Sequence, residues 1–246
     1  MVRKIRLDDL LVKKKLAKSK LDARKLIYSK KIKLKNYNSS YLFEHTVVPL
    51  DIEVDQVKED RYVSRGGYKL EGFVRDINYS VKGKSCLDIG ASTGGFTDLL
   101  LQHGAREVIC LDSGRDQINY SILQHPKVKS FEGVNARFPF EIPISPVDLA
   151  VVDVSFISTK RILSNIKRHL NRDSDLIILI KPQFEAKKHQ VKIGGLVKDA
   201  KIHVNVLDNL ITSYRNSGFQ LHELRRSKVK GRKGNQEFFC LVKMVE

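Results

Sequence analysis

One lysine follows the most apolar run of the chain and is placed where it could act chemically. Lys181 comes directly after Leu176–Ile180, a run apolar enough to predict a buried strand. Partial burial beside a second cation favours a neutral amine, and a neutral amine can accept a proton. A poor nucleophile such as a ribose 2′-hydroxyl benefits from such a base.

Three further ionisable residues are expected at the same edge of the predicted sheet. Asp153 follows the strand before Lys181, Lys69 precedes the first strand of the larger domain, and Glu237 begins the last one. Two lysines and two carboxylates could move a proton without a metal or a thiol. From pattern alone, a structural ion-pair network remains the alternative.

A glycine-rich segment, Cys86–Thr97, predicts where a cofactor binds. A strand that ends in a glycine loop and opens a helix brings backbone close to a ligand. The dinucleotide spacing is broken by Ser92, and Phe96-Thr97 stands where a P-loop has Lys-Ser/Thr. The acid-x-Gly-x-x-x-Gly spacing suits S-adenosylmethionine, whose ammonium group an acid can meet. The alternative is a strand-to-helix turn that binds nothing.

Polar residues at the ends of the following strands extend this predicted site. Asp112, about twenty residues beyond the loop, is placed for ribose hydroxyls, and Asn135 for adenine. No metal is expected. The predicted cofactor-binding residues are Asp88, Gly90, Ser92, Thr93, Gly94, Gly95, Phe96, Asp112, Asn135 and Asp153.

The elements that would position these residues alternate between strand and helix. Strands are predicted at 85–89, 107–111, 128–131, 147–152 and 176–180, and helices at 96–103, 117–123, 158–170 and 199–216. Final strands at 219–226 and 237–242, joined by a short basic loop, can pair antiparallel. The predicted fold class is α/β: a Rossmann-like S-adenosylmethionine-dependent methyltransferase domain with a mostly parallel seven-stranded sheet, preceded by a small α+β domain.

Charge separates the two parts of the chain. The 246 residues carry a net charge of +17, and residues 1–35 hold 14 Lys/Arg against 3 Asp/Glu. Such an excess predicts a polyanionic partner, namely nucleic acid. Three isolated cysteines, no signal-peptide pattern and no apolar run long enough to cross a bilayer predict a cytoplasmic protein with reduced thiols and no stable membrane association.

The N-terminal pattern resembles an S4 RNA-binding domain. Arg6–Leu11 and Ser19–Ile27 carry its motifs, with Leu21, Leu26 and Ile27 expected inward. Lys20 replaces the usual Arg, and Lys35–Asn38 replaces a Val-Asn-Gly turn. We expect this domain at 1–60, a linker at 61–67 and the methyltransferase domain at 68–246. The predicted RNA-binding residues are Arg3, Lys4, Arg6, Lys13, Lys14, Lys18, Lys20, Arg24, Lys25, Arg65, Lys188 and Arg232.

Across nearly its whole length, the chain resembles the TlyA family. The matching motifs are Asp88–Thr97, Asp153–Ser158, Ile180–Glu185, Ser64–Gly67 and Gly234–Glu237. The resemblance implies an S4 domain joined to an FtsJ-like methyltransferase that uses S-adenosylmethionine to methylate cytidine ribose in ribosomal RNA. It also implies a tetrad of Lys69, Asp153, Lys181 and Glu237 in which Lys181 is the base. The compact chain ends favour large-subunit RNA, with small-subunit RNA as a further substrate.

Three other functions fit the sequence less well. Asp153-Val-Ser-Phe156 partly matches the motif of nucleobase N-methyltransferases, but it lacks both prolines. A non-catalytic ribosome-assembly factor would not need the tetrad. A membrane-active hemolysin, a label that the family also carries, would need an insertable segment. In the linker between the two domains, Arg65-Gly66-Gly67 is expected to form a hinge-like junction that delivers the target nucleotide.

Overall fold

The computed structural model describes residues 3–29, 31–37, 42–56 and 60–245. The chain divides into two compact units, Met1–Arg61 and Tyr62–Glu246. Asn38, one of the departures from the S4 pattern, lies outside the described residues. Among the described residues, no helix has both the length and the apolar character needed to cross a membrane.

In the described part of the first unit there are two helices and four short strands, which is compatible with an S4-like domain. Its elements are β1 (Lys4–Arg6), α1 (Leu7–Lys13), α2 (Lys20–Tyr28), β2 (Ile32–Leu34), β3 (Val47–Pro49) and β4 (Val54–Gln56). Strand β1 pairs antiparallel with β3, and β2 with β4. The Ser19 side chain accepts a hydrogen bond from Asp22 N at 3.2 Å, which caps α2 as its sequence predicts.

The expected inward face of α2 is wrong at one position. Leu21 is 65% exposed, whereas Ala23 and Ile27 are buried. These two residues are four apart and share a helix face, while Leu21 lies about 200° around the helix from Ala23. In the core of this unit, Ala23 and Ile27 of α2 are buried together with Leu7, Leu10 and Leu11 of α1 and with Val48 of β3.

The second unit has the predicted Rossmann-like architecture. Its helices are α3 (Arg65–Asp76), α4 (Gly95–Gln102), α5 (Tyr120–Leu123), α6 (Leu163–Lys167), α7 (Pro182–Glu185) and α8 (Ala200–Asn216). Its strands are β5 (Ser85–Ile89), β6 (Glu107–Asp112), β7 (Val128–Glu132), β8 (Leu149–Val152), β9 (Asp175–Ile180), β10 (Phe219–Arg226) and β11 (Phe238–Met244).

These seven strands form one sheet in the order β7-β6-β5-β8-β9-β11-β10. All neighbours are parallel except the pairs that β11 makes with β9 and β10. Strands β5, β8 and β9 are buried throughout, since helices cover both faces of the sheet. The strand order reverses between β5 and β8, so a ligand cleft is expected there.

Helix α3 begins inside the segment 61–67 that was expected to be a linker. Arg65, Gly66 and Gly67 form its first turn rather than a hinge-like junction. A Cβ on Gly67 would lie 2.3 Å from the buried Tyr62 ring, and one on Gly95 of α4 would lie 2.1 Å from Ser64 Oγ. These glycines therefore allow close packing in the core of the second unit.

Candidate functional site

A cavity of about 440 Å³ opens at the carboxyl ends of β5, β6 and β8, where the strand order reverses. Five residues of the predicted cofactor set line it: Gly90, Ser92, Asp112, Asn135 and Asp153. The sequence prediction missed the other lining residues, which are Ile89, Leu111, Ser113, Gly114, Gln117, Val134, Ala136, Val154, Ser155, Phe156, Ile157 and Ile162.

The glycine loop is shaped by backbone conformations that favour glycine. Gly90 has φ of 84°, and a Cβ there would lie 2.7 Å from the Asp153 carbonyl oxygen. Gly94 has φ of 89° and precedes α4 as its N-cap. Thr93, Gly94, Gly95 and Phe96 do not line the cavity; Gly95 and Phe96 begin α4 and are buried. Their role in the structure is to bring Gly90 and Ser92 to the cavity wall.

Asp112 holds the far side of the cavity in place. Its Oδ2 accepts a hydrogen bond from Ser92 N at 2.7 Å, and its Oδ1 accepts one from Gly114 N at 2.7 Å. Ser92 Oγ also lies 3.3 Å from Gln117 Oε1. The carboxylate therefore ties the glycine loop to the loop after β6. In the sequence, Gly114 could have indicated this second loop, because it stands two residues after Asp112, the acid that ends β6.

Asp88 has a different position from the one expected of an acid that meets a ligand. It is fully buried behind the cavity and does not line it. Its Oδ2 accepts hydrogen bonds from Thr97 N at 3.0 Å and Thr97 Oγ1 at 2.7 Å, while its Oδ1 has no hydrogen-bond partner. Burial is the main reason why the pKa of Asp88 is raised to about 7; the nearby carboxylates of Asp153 and Asp112 act in the same direction, and the hydrogen bonds from Thr97 partly offset them.

Lys181 and Asp153 form an ion pair at the cavity wall. Lys181 Nζ lies 2.6 Å from Asp153 Oδ1, in a contact outside hydrogen-bond geometry, and donates a hydrogen bond to Ser155 Oγ at 2.8 Å. The Lys181 side chain is only 11% exposed and the Asp153 side chain 20%. The lysine therefore projects from the end of β9 toward two residues that line the cavity.

Lys69 and Glu237 form a second, more buried pair. Lys69 Nζ of α3 donates a hydrogen bond to Glu237 Oε2 at 2.6 Å, and the Glu237 side chain is 3% exposed. Phe238 pairs with Ile180 across β11 and β9, so Glu237 and Lys181 occupy the next positions of the same antiparallel register. The structure thus brings the four residues of the predicted tetrad to one edge of the sheet as two acid–lysine pairs. In each pair, a proton can pass between the amine and the carboxylate.

Glu185 was missed by the sequence prediction and joins the two loops that carry Asp153 and Lys181. Its carboxylate accepts hydrogen bonds from Ser158 Oγ at 2.6 Å, Thr159 N at 2.8 Å and Thr159 Oγ1 at 2.9 Å. Phe156, between these residues and Asp153, has φ of 64° and is 91% exposed at the rim of the cavity. Glu185 fixes the backbone that presents this ring.

All of the predicted RNA-binding side chains are exposed, and several in the first unit are also paired. Arg6 donates two hydrogen bonds of 3.0 Å to the buried Asp8, whose pKa they lower, and Lys20 Nζ lies 2.7 Å from Asp9. Arg24 lies 4.0 Å from Asp8. The Arg6 and Arg24 side chains are nonetheless each 46% exposed, so this part of the unit can present positive charge to solvent.

In the second unit, Arg65 Nη2 donates a hydrogen bond to the Lys230 carbonyl oxygen at 2.6 Å. Lys188 and Arg232 are exposed. Within the described ranges of the chain, no cluster of three His, Cys, Asp or Glu side chains could hold a metal ion.

Comparison with known proteins places this geometry among methyltransferases. Residues 62–244 match the FtsJ-like methyltransferase family. The chain is 42% identical to Hemolysin A of Brachyspira hyodysenteriae over 193 residues, which is 76% of this chain and 79% of that protein. It is 35% identical over 244 residues to the 16S/23S rRNA (cytidine-2′-O)-methyltransferase TlyA of Mycobacterium tuberculosis, covering 99% of this chain and 91% of that one. The solved structure of a candidate hemolysin from Streptococcus thermophilus matches with a TM-score of 0.74 at 33% identity, covering 100% of this chain and 90% of that one.

Proposed function

Because the chain belongs to the FtsJ-like methyltransferase family, we propose that it transfers a methyl group from S-adenosylmethionine to a cytidine 2′-hydroxyl in ribosomal RNA. The observation that carries this proposal is the pair formed by Lys181 and Asp153 at the wall of the cavity. The relative from M. tuberculosis, which shares nearly the whole length of the chain, is named for this reaction. We propose large-subunit RNA as the main substrate and small-subunit RNA as a further one.

The cavity suits the cofactor in size and shape. A volume of about 440 Å³ lies within the range of small-molecule sites, roughly 300–1,000 Å³. The close approach of Gly90 to the Asp153 carbonyl leaves no room for a side chain, so backbone can line the ligand directly. Asp112 and Asn135 both line the cavity, and in this proposal Asp112 would accept hydrogen bonds from ribose hydroxyls and Asn135 would contact adenine. When bound, the cofactor supplies an electrophilic methyl group on a sulfonium.

Lys181 would act as the general base. Its Nζ, which must be neutral beforehand, would take the proton of the ribose 2′-hydroxyl as that oxygen is methylated. The Asp153 carboxylate at 2.6 Å then stabilises the ammonium that forms. Ser155 Oγ, which accepts a hydrogen bond from the same nitrogen, orients the amine.

Lys69 and Glu237 would position the reacting groups from the other side. Their contact at 2.6 Å holds both side chains in fixed geometry in a largely buried setting. We propose that the S4-like N-terminal domain, expected at residues 1–60, recruits RNA through its exposed cations. Arg65, Lys188 and Arg232 would continue this contact on the catalytic domain.

Nucleoside mass spectrometry tests the proposal. Ribosomal subunits from cells that lack the gene are incubated with S-adenosylmethionine and either the wild type, Lys181→Ala or Lys129→Ala. Lys129 is exposed on β7, away from the cavity lining, and serves as the matched control. We expect 2′-O-methylcytidine from the wild type and from Lys129→Ala, and a rate at least about 100-fold lower from Lys181→Ala.

Each other result would change the assignment. A base-methylated nucleoside would move the reaction to the nucleobase alternative. Full activity of Lys181→Ala would remove the lysine from the role of base. No methylation of intact subunits, assembly intermediates or protein-free ribosomal RNA would favour a non-catalytic RNA-binding role.

A further inference from the structure

Two basic loops lie side by side on the catalytic domain, and the first carries an exposed apolar tip. The turn loop is Lys187–Lys198, and the basic loop is Lys228–Gly234. Together they contain eight Lys/Arg residues and no Asp or Glu. Ile193, in the middle of the turn loop, is fully exposed.

The turn loop presents Ile193 on a tight, hydrogen-bonded turn. Gly195 N donates to the Lys192 carbonyl oxygen, and Lys192 N donates to the Leu196 carbonyl oxygen, both at 2.9 Å. Gly194 and Gly195 have φ of 87° and 79°, which let the chain reverse directly after Ile193. The isoleucine therefore projects from a defined backbone.

Asn235 fastens this turn to the basic loop. Its Oδ1 accepts a hydrogen bond from Val197 N at 2.9 Å, and its Nδ2 donates one to the Gly195 carbonyl oxygen at 2.7 Å. Its own carbonyl oxygen accepts one from Gly231 N at 2.9 Å. Since Asn235 is only 4% exposed, the two loops share a buried, fully bonded support.

This double loop is continuous with the candidate active site. A Cβ on Gly231 would lie 2.5 Å from Glu237 Oε1, so the basic loop covers the carboxylate that pairs with Lys69. The turn loop begins two residues after α7, which itself follows Lys181. A substrate that reaches the tetrad therefore passes close to both loops.

We propose that this double loop is a substrate-binding surface on which Ile193 packs against the face of a nucleobase while the surrounding cations hold phosphates. The proposal rests on the proposed function, since it takes ribosomal RNA as the partner. Lys228 is paired with Asp76, but neither loop carries an acid of its own, and such an excess of cations selects a polyanion. An apolar side chain at its centre gains nothing from phosphates, but it can bury its surface against a base. Nucleic acid offers both chemistries within one nucleotide.

Equilibrium binding to purified ribosomal subunits over a series of salt concentrations separates the two contributions. Ile193→Ser should weaken binding about five- to tenfold at every salt concentration and leave the salt dependence unchanged, because no phosphate contact is lost. Lys192→Ala should instead make the salt dependence shallower, reducing the magnitude of the slope of log K against log salt by about one. Ile193→Val should bind almost as the wild type does. Val204→Ser, at an exposed apolar residue of α8, is the matched control and should change nothing.

A photoreactive benzoylphenylalanine at position 193 identifies the partner. We expect an adduct with ribosomal RNA. An adduct with a ribosomal protein alone would overturn the proposal, as would Ile193→Ser that binds within twofold of the wild type. If the wild type binds subunits but transfers no methyl group to them, the proposed function fails, and this experiment still reports on the turn loop.

Discussion

Replacing the buried Asp88 by Asn should stabilise the protein at neutral and alkaline pH. The carboxylate lies behind the cavity with Oδ1 unpartnered, and only Thr97 donates hydrogen bonds to Oδ2. Asparagine keeps one oxygen for Thr97 and removes the buried charge. The substitution therefore isolates the free-energy cost of ionising this side chain in the folded state.

The magnitude follows from the pKa, which burial raises from 3.8 to about 7. Between these two values the folded state holds a proton that the unfolded state has released, so stability falls as the pH rises through this window. At about 1.4 kcal/mol per pH unit, the whole window corresponds to roughly 4 kcal/mol. Asp88→Asn does not titrate, so its stability relative to the wild type should increase by roughly 3 kcal/mol from pH 5 to pH 8.

Urea unfolding of the full chain at pH 5, 6, 7 and 8 measures this difference. Asp173→Asn, at an exposed aspartate, is the control and should follow the wild type at each pH. A stability difference between Asp88→Asn and the wild type that stays constant from pH 5 to pH 8 would refute the reasoning. It would mean that Asp88 ionises in the folded state as easily as in the unfolded chain.

Three other outcomes follow from the geometry. Gly67→Ala should lower the unfolding free energy by about 1–3 kcal/mol, because the added methyl group overpacks the core. Gly72→Ala in the same helix should be neutral or slightly stabilising, because its Cβ would lie 3.6 Å from the nearest atom, Lys228 Cδ. Equal effects of the two substitutions in urea unfolding would contradict the packing argument. Glu237→Gln should lower the unfolding free energy by about 3 kcal/mol, because it leaves the Lys69 ammonium buried without its carboxylate. It should also reduce the rate of methyl transfer. A variant with the stability and activity of the wild type would show that the pair contributes to neither. Burial raises the pKa of all three cysteine thiols to about 12. Mass spectrometry after treatment with iodoacetamide at pH 8 should therefore find them labelled only in the denatured protein. Rapid labelling of the folded protein would contradict their burial.

The sheet could be predicted from the sequence because its central strands β5, β8 and β9 are buried on both faces. Continuous apolar runs such as Leu176–Ile180 leave little ambiguity, and the predicted seven-stranded, mostly parallel fold is confirmed. The weaker elements were less predictable. The helix expected at 158–170 is a 3-10 turn, Thr159–Arg161, followed by the short α6. At the start of this segment, Thr159 donates hydrogen bonds to Glu185, which lies 26 residues further along the chain. The local sequence does not encode a contact with so distant a partner.

The candidate site shows the same division. Strand ends locate Asp112, Asp153 and Lys181 correctly at one edge, because the carboxyl ends of parallel strands lie together. Successive side chains of a strand point to opposite faces, so a shift of one residue decides whether an acid near the strand end faces the cavity or the interior. Asp88 takes the interior direction, and its contact with Thr97 could not be inferred from spacing alone. The role of each residue in catalysis stays a prediction.

The order of the last two strands has a consequence for how the protein is made. Strand β10 is synthesised before β11, yet in the sheet it pairs only with β11, which lies between it and β9. While residues 238–244 are still inside the translating ribosome, β10 has no partner and β9 has an open side. The sheet, and with it the contact between Glu237 and Lys69, is completed only when residues 237–244 have emerged. A chain that stops before residue 238 would lose an interior strand rather than an edge.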